Sequence, residues 1–92
     1  MHVISRRKLR KYSQKHGDCE EALDDWYKIV CKANWANLID VQTVYPQAEA
    51  VSNFTVFNIK GNKYRLIVSI NYEKQVIYIK YVLTHAEYDK DY

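Results

Sequence analysis

The last third of the chain holds side chains that could carry out acid–base chemistry on a phosphodiester. A glycine turn lies within residues 57–65, two β-type runs follow, and a histidine and a tyrosine come at the end. Folded as a meander, this part would bring cations, an imidazole and a phenol to one end of a small sheet. Cations bind phosphate, and the other two groups transfer protons. These are the residue types that a metal-free ribonuclease needs: Lys60, Lys63, Arg65, His85 and Tyr88.

His85 is the first candidate for proton transfer, because an unperturbed imidazole titrates near neutrality. It lies at the predicted end of the last strand, where a side chain can reach an open edge. The alternative is a capping or surface histidine. Arg65, on the mixed face of the central hairpin, could hold phosphate with two parallel hydrogen bonds. It could equally be an exposed strand arginine or the partner of a carboxylate such as Glu87 or Asp89.

Three further candidates surround these two, and a fourth residue shares their turn. Lys60 and Lys63 flank Gly61, where each could bind backbone phosphate or be a solvated turn lysine. Tyr88 could stack on a base or donate a proton, or it could pack the C-terminus onto the sheet. Asn62 is a candidate RNA contact, although it could simply be the turn residue with positive φ.

The pattern before residue 46 predicts one strand and two or three helices. His2–Ile4 is typical of a short strand, and Ser5 could cap a helix that runs to about His16. Asp18 is predicted to start a second helix, with Glu21 in a capping-box arrangement, that ends near residue 32 or 33. A less certain short helix, capped by Asn37, would end before Pro46, and residues 46–52 would be a polar loop.

After residue 52 the hydrophobic period changes from helical to two. Residues 53–59, 63–72 and 75–84 predict three strands of a meander, with Gly61-Asn62 as the first tight turn. In the last strand, Ile77, Ile79, Tyr81 and Leu83 are predicted to share one face. The fold class is therefore α+β: a small antiparallel sheet of a short N-terminal strand plus this meander, with two or three helices on one face.

The net charge of +3 comes in blocks rather than evenly. The first 16 residues hold only basic charges, residues 18–25 hold five acids, and residues 60–81 are again basic. Two basic blocks around an acidic helix start suggest a surface facing a polyanion, while the alternative is ordinary solvated surface. The candidate RNA-binding cations of the first block are Arg6, Arg7, Lys8, Arg10 and Lys11. They could contact the phosphate backbone of RNA or an acidic stretch of a protein partner.

Size and cysteine usage limit the class of protein. Ninety-two residues predict a single domain, 1–92, and the apolar fraction of 48% is typical of a globular chain. Cys19 and Cys31, 12 residues apart on the predicted helix, would be separated by about 18 Å, beyond the ~7 Å between disulfide-bonded Cα atoms. With no zinc spacing, leader or membrane span in the sequence, we expect a reduced, cytoplasmic protein.

Three segments together resemble the HigB toxins of the RelE superfamily: MHVIS at 1–5, FNIKGNKYRL at 57–66 and THAEYD at 84–89. The similarity extends over nearly the whole chain in length and element order. It implies a RelE-like fold and the toxin of a type II toxin–antitoxin system that cleaves mRNA on translating ribosomes without metal or cofactor. It also implies a HigA-like helix-turn-helix antitoxin, which would contact promoter DNA only as part of the toxin–antitoxin complex.

The leading hypothesis is therefore an endoribonuclease, an mRNA interferase in which the 2′-hydroxyl of RNA attacks the adjacent phosphorus. His85, Arg65, Tyr88 and Lys60 are its candidate catalytic residues, but which is acid and which is base stays open. The alternative is a non-catalytic RNA- or antitoxin-binding module of the same fold. A purely structural subunit has little support in the sequence.

Overall fold

The computed structural model describes residues 1–91, and Tyr92, the last residue of the predicted domain, lies outside the described residues. The described residues form four α-helices, five strands and one 3₁₀ turn at Gly17–Cys19. In chain order the elements are β1 (His2–Ile4), α1 (Arg6–Lys15), α2 (Glu20–Lys32), α3 (Leu38–Val44), β2 (Glu49–Val51), β3 (Phe54–Ile59), β4 (Tyr64–Asn71), β5 (Val76–Thr84) and α4 (His85–Asp91). The α+β class predicted from the sequence is confirmed.

The sheet is larger than predicted, and it is mixed rather than antiparallel. Its strand order is β1-β5-β4-β3-β2, with β1 parallel to β5 and the other neighbours antiparallel. The chain leaves β1 through helices and three other strands before it returns as β5. A connection of this length permits either orientation of the edge strand. The alternation of residues within β1 therefore could not specify its direction.

The fifth strand, β2, lies where the sequence predicted only a polar loop. Glu49 pairs with Val56, and Val51 pairs with Phe54, across a tight reversal at Ser52, which has φ 56°. Three residues are too few to establish a period of two. A non-glycine residue with positive φ also gives no glycine signal for the turn. The prediction of a loop over residues 46–52 is therefore wrong for β2.

The hydrophobic core lies between the sheet and the helices. The Trp26 ring of α2 meets Phe57 of β3 edge-on, with centroids 5.4 Å apart. Trp35 also stacks near Phe57 at 6.5 Å. Both tryptophans are buried, so neither ring is available to stack on a base. The fully buried side chains of the sheet in this core include Phe57, Leu66, Val68, Ile77 and Ile79.

A β-bulge in β5 moves the side chains of the second half of this strand to the opposite face of the sheet. Val68 pairs with Ile79 but Ile67 pairs with Tyr81, so Lys80 has no opposite residue. One extra residue exchanges the two faces of a strand. Val82 consequently packs against the core, while Tyr81 and Leu83 lie on the opposite face with Ile67 and Arg65. The predicted common face for Ile77, Ile79, Tyr81 and Leu83 is therefore wrong beyond Ile79.

Two of the three predicted helix caps are also wrong. Ser5 precedes α1 but has φ 75° and makes no side-chain capping bond. The predicted box at Asp18 and Glu21 does not form, because Cys19 occupies the cap position of α2 and Asp18 binds elsewhere. Asn37 does cap α3, since its side-chain oxygen accepts from the Asp40 N–H at 3.0 Å.

Within residues 1–91, none of the helices combines the length and apolar character needed to cross a bilayer. Cys19 is buried, Cys31 is exposed, and both are free thiols.

Candidate active site

The β3–β4 loop and the start of α4 meet at one end of the sheet. Tyr64 pairs with Thr84, and the His85 N–H donates to the Lys63 carbonyl at 2.9 Å. The loop at residues 60–63 reverses with positive φ at Lys60 and Gly61. Residues 61–66 and 84–85, distant in sequence, are therefore held side by side.

A capping box fixes the first turn of α4. The Glu87 N–H donates to Thr84 Oγ1 at 3.1 Å, and Glu87 Oε1 accepts from the Thr84 N–H at 2.9 Å. These hydrogen bonds to Thr84 lower the pKa of the Glu87 carboxyl below its ordinary value. The reciprocal pair satisfies two N–H groups at the helix start. It thereby fixes the backbone from which His85 projects.

Arg65 and His85 are in direct contact. Arg65 Nη2 lies 2.8 Å from His85 Nδ1, and Arg65 Nη1 donates to the Asn62 carbonyl at 3.1 Å. A guanidinium has only donors, so Nδ1 must accept this hydrogen bond with its lone pair. Glu87 and Asp89, the alternative partners expected for Arg65, instead bind Thr84 and His85.

The second nitrogen of the imidazole faces a carboxylate. His85 Nε2 lies 2.9 Å from Asp89 Oδ2, one helical turn along α4. With Nδ1 accepting from Arg65, the proton of a neutral imidazole must be on Nε2, where it donates to Asp89. The side chains of His85 and Asp89 are 50% and 60% exposed, so a substrate can reach them from solvent. We call these three connected side chains, Arg65, His85 and Asp89, the relay.

Tyr88 lies against the relay and reaches across the sheet. The Arg65 guanidinium carbon is 5.6 Å from the centre of the Tyr88 ring, a cation–π distance. Burial raises the pKa of the Tyr88 phenol, a hydrogen bond to Glu49 also raises it, and the Arg65 charge opposes them. The phenol therefore stays protonated near neutral pH, as a proton donor requires.

Lys60 and Lys63 both pair with the carboxylate of Asp18, which lies in the 3₁₀ turn before α2. Lys63 Nζ lies 2.5 Å from Asp18 Oδ2 and Lys60 Nζ lies 3.6 Å from it, and Lys60 Nζ also donates to the Asp18 backbone carbonyl at 2.9 Å. The Tyr64 hydroxyl donates to Asp18 Oδ1 at 2.6 Å. Hydrogen bonds from Lys63 and then Tyr64 hold the pKa of the Asp18 carboxyl well below its usual range. The two candidate phosphate-binding lysines thus share one counter-ion.

Asn62 contributes its backbone to the site. Its carbonyl accepts from Arg65, and its side-chain oxygen lies 3.4 Å from Asn58 Nδ2. The positive-φ residues of the loop are Lys60 and Gly61, so the interpretation of Asn62 as the positive-φ turn residue is wrong.

The sequence model of one protein family matches residues 19–91, and its description is "HigB_toxin, RelE-like toxic component of a toxin-antitoxin system". The chain belongs to the HigB toxin family. It is also similar to "mRNA interferase HigB" of Escherichia coli O6:H1 strain CFT073, at 26% identity over 98% of this chain and 90% of that protein. "mRNA interferase toxin HigB" of Escherichia coli K12 is 27% identical over 97% of this chain and 88% of that protein. A Shigella flexneri "mRNA interferase HigB" has the same identity and coverage.

In this HigB-family chain the basic N-terminal helix divides into paired and exposed cations. Arg6 Nη2 lies 3.6 Å from Asp24 Oδ1, and the Arg6 guanidinium carbon lies 4.0 Å from the centre of the Tyr27 ring. Lys8 Nζ donates to the Ile79 carbonyl beside the bulge at 3.4 Å. The remaining candidate RNA contacts, all exposed, are Arg7, Arg10 and Lys11. Their role as RNA contacts stays a prediction.

Two carboxylates of this HigB-family site were not among the residues predicted to act there. The sequence suggests Asp89 only as a partner of Arg65, although its spacing of four from His85 indicates contact within a helix. Asp18 is predicted only to start a helix, and nothing in the sequence links it to a loop more than forty residues away. Among residues 1–91, no group of three or more His, Cys, Asp or Glu side chains could hold a metal ion.

Proposed function

We propose that this member of the HigB toxin family is an endoribonuclease that cleaves mRNA through the relay. The observation that carries the proposal is the contact of Arg65 Nη2 with His85 Nδ1, with Asp89 on the other ring nitrogen. A phosphate-binding cation, a proton acceptor and a group that orients the acceptor thus lie in one solvent-accessible chain. The relatives are named mRNA interferases, which supports RNA as the substrate.

The proposed mechanism begins with the scissile phosphate binding the Arg65 guanidinium. This draws the guanidinium away from His85 and frees the Nδ1 lone pair, so substrate binding itself produces the general base. Nδ1 then takes the proton of the 2′-hydroxyl as the 2′-oxygen forms a bond to phosphorus. Asp89 stabilises the resulting imidazolium through Nε2, as a carboxylate does in other histidine-dependent sites.

The same step requires a proton for the leaving oxygen. As the bond from phosphorus to the 5′-oxygen breaks, Tyr88 donates its phenolic proton, leaving a 2′,3′-cyclic phosphate and a 5′-hydroxyl. Tyr88 suits this role better than Lys60, because the Tyr88 ring borders Arg65 whereas Lys60 is bound to Asp18. Lys60 and Lys63 then supply positive potential beside the phosphate. These side chains provide acid, base and cation without requiring a metal or cofactor.

The proposed setting is the translating ribosome in the cytoplasm, where mRNA is presented as a single strand. Exposed Arg7, Arg10 and Lys11 would contact ribosomal RNA. A HigA-like helix-turn-helix antitoxin is the proposed neutralising partner, and promoter DNA would be bound only through the complex with it. The family description as the toxic component of a toxin–antitoxin system supports the existence of such a partner.

The test is cleavage of a 5′-labelled message on programmed ribosomes by purified wild-type, His85→Ala and Arg65→Ala proteins. We expect the wild type to cut and each variant to lose about 10²–10⁴-fold in rate, the usual size of general acid–base effects. Both side chains are at least partly exposed, so the variants should fold, which circular dichroism can check.

Full cleavage by both variants would exclude this active centre. Salt-sensitive RNA binding without any wild-type cleavage would identify the alternative, a non-catalytic binding module. A message with a 2′-deoxynucleotide at the mapped site should resist cleavage if the 2′-hydroxyl is the nucleophile.

A further inference from the structure

Two exposed tyrosines share the face of the sheet on which Arg65 lies. Tyr81 pairs with Ile67 and Tyr78 pairs with Ser69, while Arg65 itself pairs with Leu83. Because of the bulge at Lys80, both tyrosines lie on this face although they are three residues apart. In a regular strand, residues three apart would lie on opposite faces.

Both tyrosine side chains are accessible to solvent. Tyr78 is 40% exposed and Tyr81 is 51% exposed, whereas Ile67, the residue paired with Tyr81, is buried. Tyr81 is two residues from Leu83, the residue opposite Arg65, which places it about 7 Å along the strand from the relay. Tyr78 continues the same line away from the site. The pair therefore extends the candidate active site along β5.

Cations border this line of aromatic rings. Lys80 Nζ lies 5.8 Å from the centre of the Tyr78 ring, and Arg65, a member of the relay, follows beyond Tyr81 on the same face. Aromatic rings alternating with cations along an open strand suit a single-stranded nucleic acid, whose bases stack and whose phosphates need positive charge.

We propose that Tyr78 and Tyr81 form a stacking platform for bases of single-stranded RNA next to the bond cleaved at the relay. This inference rests on the proposed function, because the platform takes its place from the active site beside it. The Tyr81 ring binds the base nearer the scissile phosphate, and the Tyr78 ring binds a base farther away, with Lys80 on the backbone between them. Continuity with the relay and the interleaved charge favour RNA over a protein partner.

Binding is measured first, with a probe that cannot be cleaved. A fluorescein-labelled, fully 2′-O-methylated 12-nucleotide RNA is titrated with wild type, Tyr78→Val, Tyr81→Val and both together. Valine preserves strand propensity. Stacking on an aromatic ring accounts for roughly tenfold in affinity per base, so we expect about tenfold weaker binding for each single variant and a larger loss for the double variant.

Three controls separate stacking from other causes. Tyr78→Phe and Tyr81→Phe keep the ring and should bind within about twofold of wild type. Ile39→Ala alters a side chain that is 73% exposed on α3, away from this face, and should leave affinity unchanged. Photo-cross-linking of wild type to an oligonucleotide containing 4-thiouridine, mapped by mass spectrometry, should mark Tyr81 without any substitution.

Cleavage of message on programmed ribosomes, measured with the same proteins, separates the two proposals. Wild-type cleavage together with unchanged binding and cleavage by the double valine variant would overturn the platform and leave the proposed function standing. Weakened binding by the valine variants with no wild-type cleavage would support the platform as an RNA site and overturn the nuclease. Loss of antitoxin binding alone would overturn the platform and assign this face to the antitoxin.

Discussion

Asp18 joins the turn after α1 to the β3–β4 loop, with its Oδ2 2.5 Å from Lys63 Nζ. The same carboxylate accepts from Tyr64, and these hydrogen bonds depress its pKa. It therefore acts both as a clamp between distant segments and as the counter-ion of two candidate phosphate-binding lysines. Its removal should affect stability and RNA binding in opposite directions.

The first prediction concerns acid stability and Asp18→Asn. Because the folded pKa of Asp18 lies below its ordinary value of 3.8, the ionised clamp stabilises the fold above about pH 4. That contribution is lost as pH falls below this value through the folded pKa. We expect the free energy of unfolding of the wild type, measured by urea titration, to fall more steeply between pH 4 and 2 than that of Asp18→Asn. Parallel curves would contradict the clamp.

The same variant should bind RNA more tightly at neutral pH, because Lys60 and Lys63 would be freed for phosphate. The slope of log affinity against log salt should steepen by up to about 1.4, since each added single-strand phosphate contact contributes about 0.7. The matched control is Asp24→Asn, which removes the partner of Arg6 and Lys28 on the helical side. An equal effect in both variants would indicate a change in net charge alone.

Asp89→Asn tests the orienting role of the carboxylate beside His85. The amide cannot stabilise an imidazolium as a carboxylate does, so the cleavage rate should fall about 10–10³-fold, within the usual range for acid–base groups. RNA affinity should stay unchanged, because Asp89 does not bind the phosphate. Single-turnover cleavage and the methylated RNA probe measure the two quantities separately. Lys90→Gln, at the neighbouring exposed position, is the control and should cleave normally.

Thr84→Ala should impair the site indirectly, by removing the cap at the start of α4. The threonine caps α4 together with Glu87, and loss of such a cap costs about 1 kcal/mol. Chemical denaturation should record that loss, and cleavage should fall because His85 stands at the first position of the helix. Thr84→Ser keeps the hydroxyl and should restore both properties. If serine fails to restore activity, the cap is not what positions His85.

The exposed cations of α1 can be tested as a group. Neutralising Arg7, Arg10 and Lys11 to Gln should weaken ribosome binding and flatten its salt dependence. Cleavage of a short free oligonucleotide, if wild type shows it, should change little because these residues lie outside the relay. Sedimentation with ribosomes at several salt concentrations measures the first effect. Unchanged sedimentation together with lost antitoxin binding would assign the cations to the antitoxin instead.

The sequence predicted the features that depend on local pattern. The apolar stripe of α2, the cap at Asn37 and the three strands of the meander all follow from spacing within a few residues. The expected proximity of Arg65 and His85 also held, because the register that pairs Tyr64 with Thr84 places their neighbours side by side.

Features that depend on distant partners could not be predicted in this way. Asp18 had the sequence context of a helix start, and only the folded chain brings Lys63 to it. The bulge at Lys80 leaves the sequence alternation looking regular, since Tyr81 and Leu83 are as apolar as a core would require. The sequence pattern shows which residues are hydrophobic, but it does not show where a strand changes face.

Because of that change of face, the residues of β5 lie in two different environments along its length. Ile77 and Ile79 belong to the interior, whereas Tyr81 belongs to the surface beside the relay. On the proposed platform, substitutions at Tyr81 should therefore alter RNA affinity without disturbing the hydrophobic interior. The bulge thus separates selection for core packing from selection for RNA binding within one strand. Single changes at the exposed position should therefore tune how strongly RNA is held while the protein keeps the stability it needs to fold.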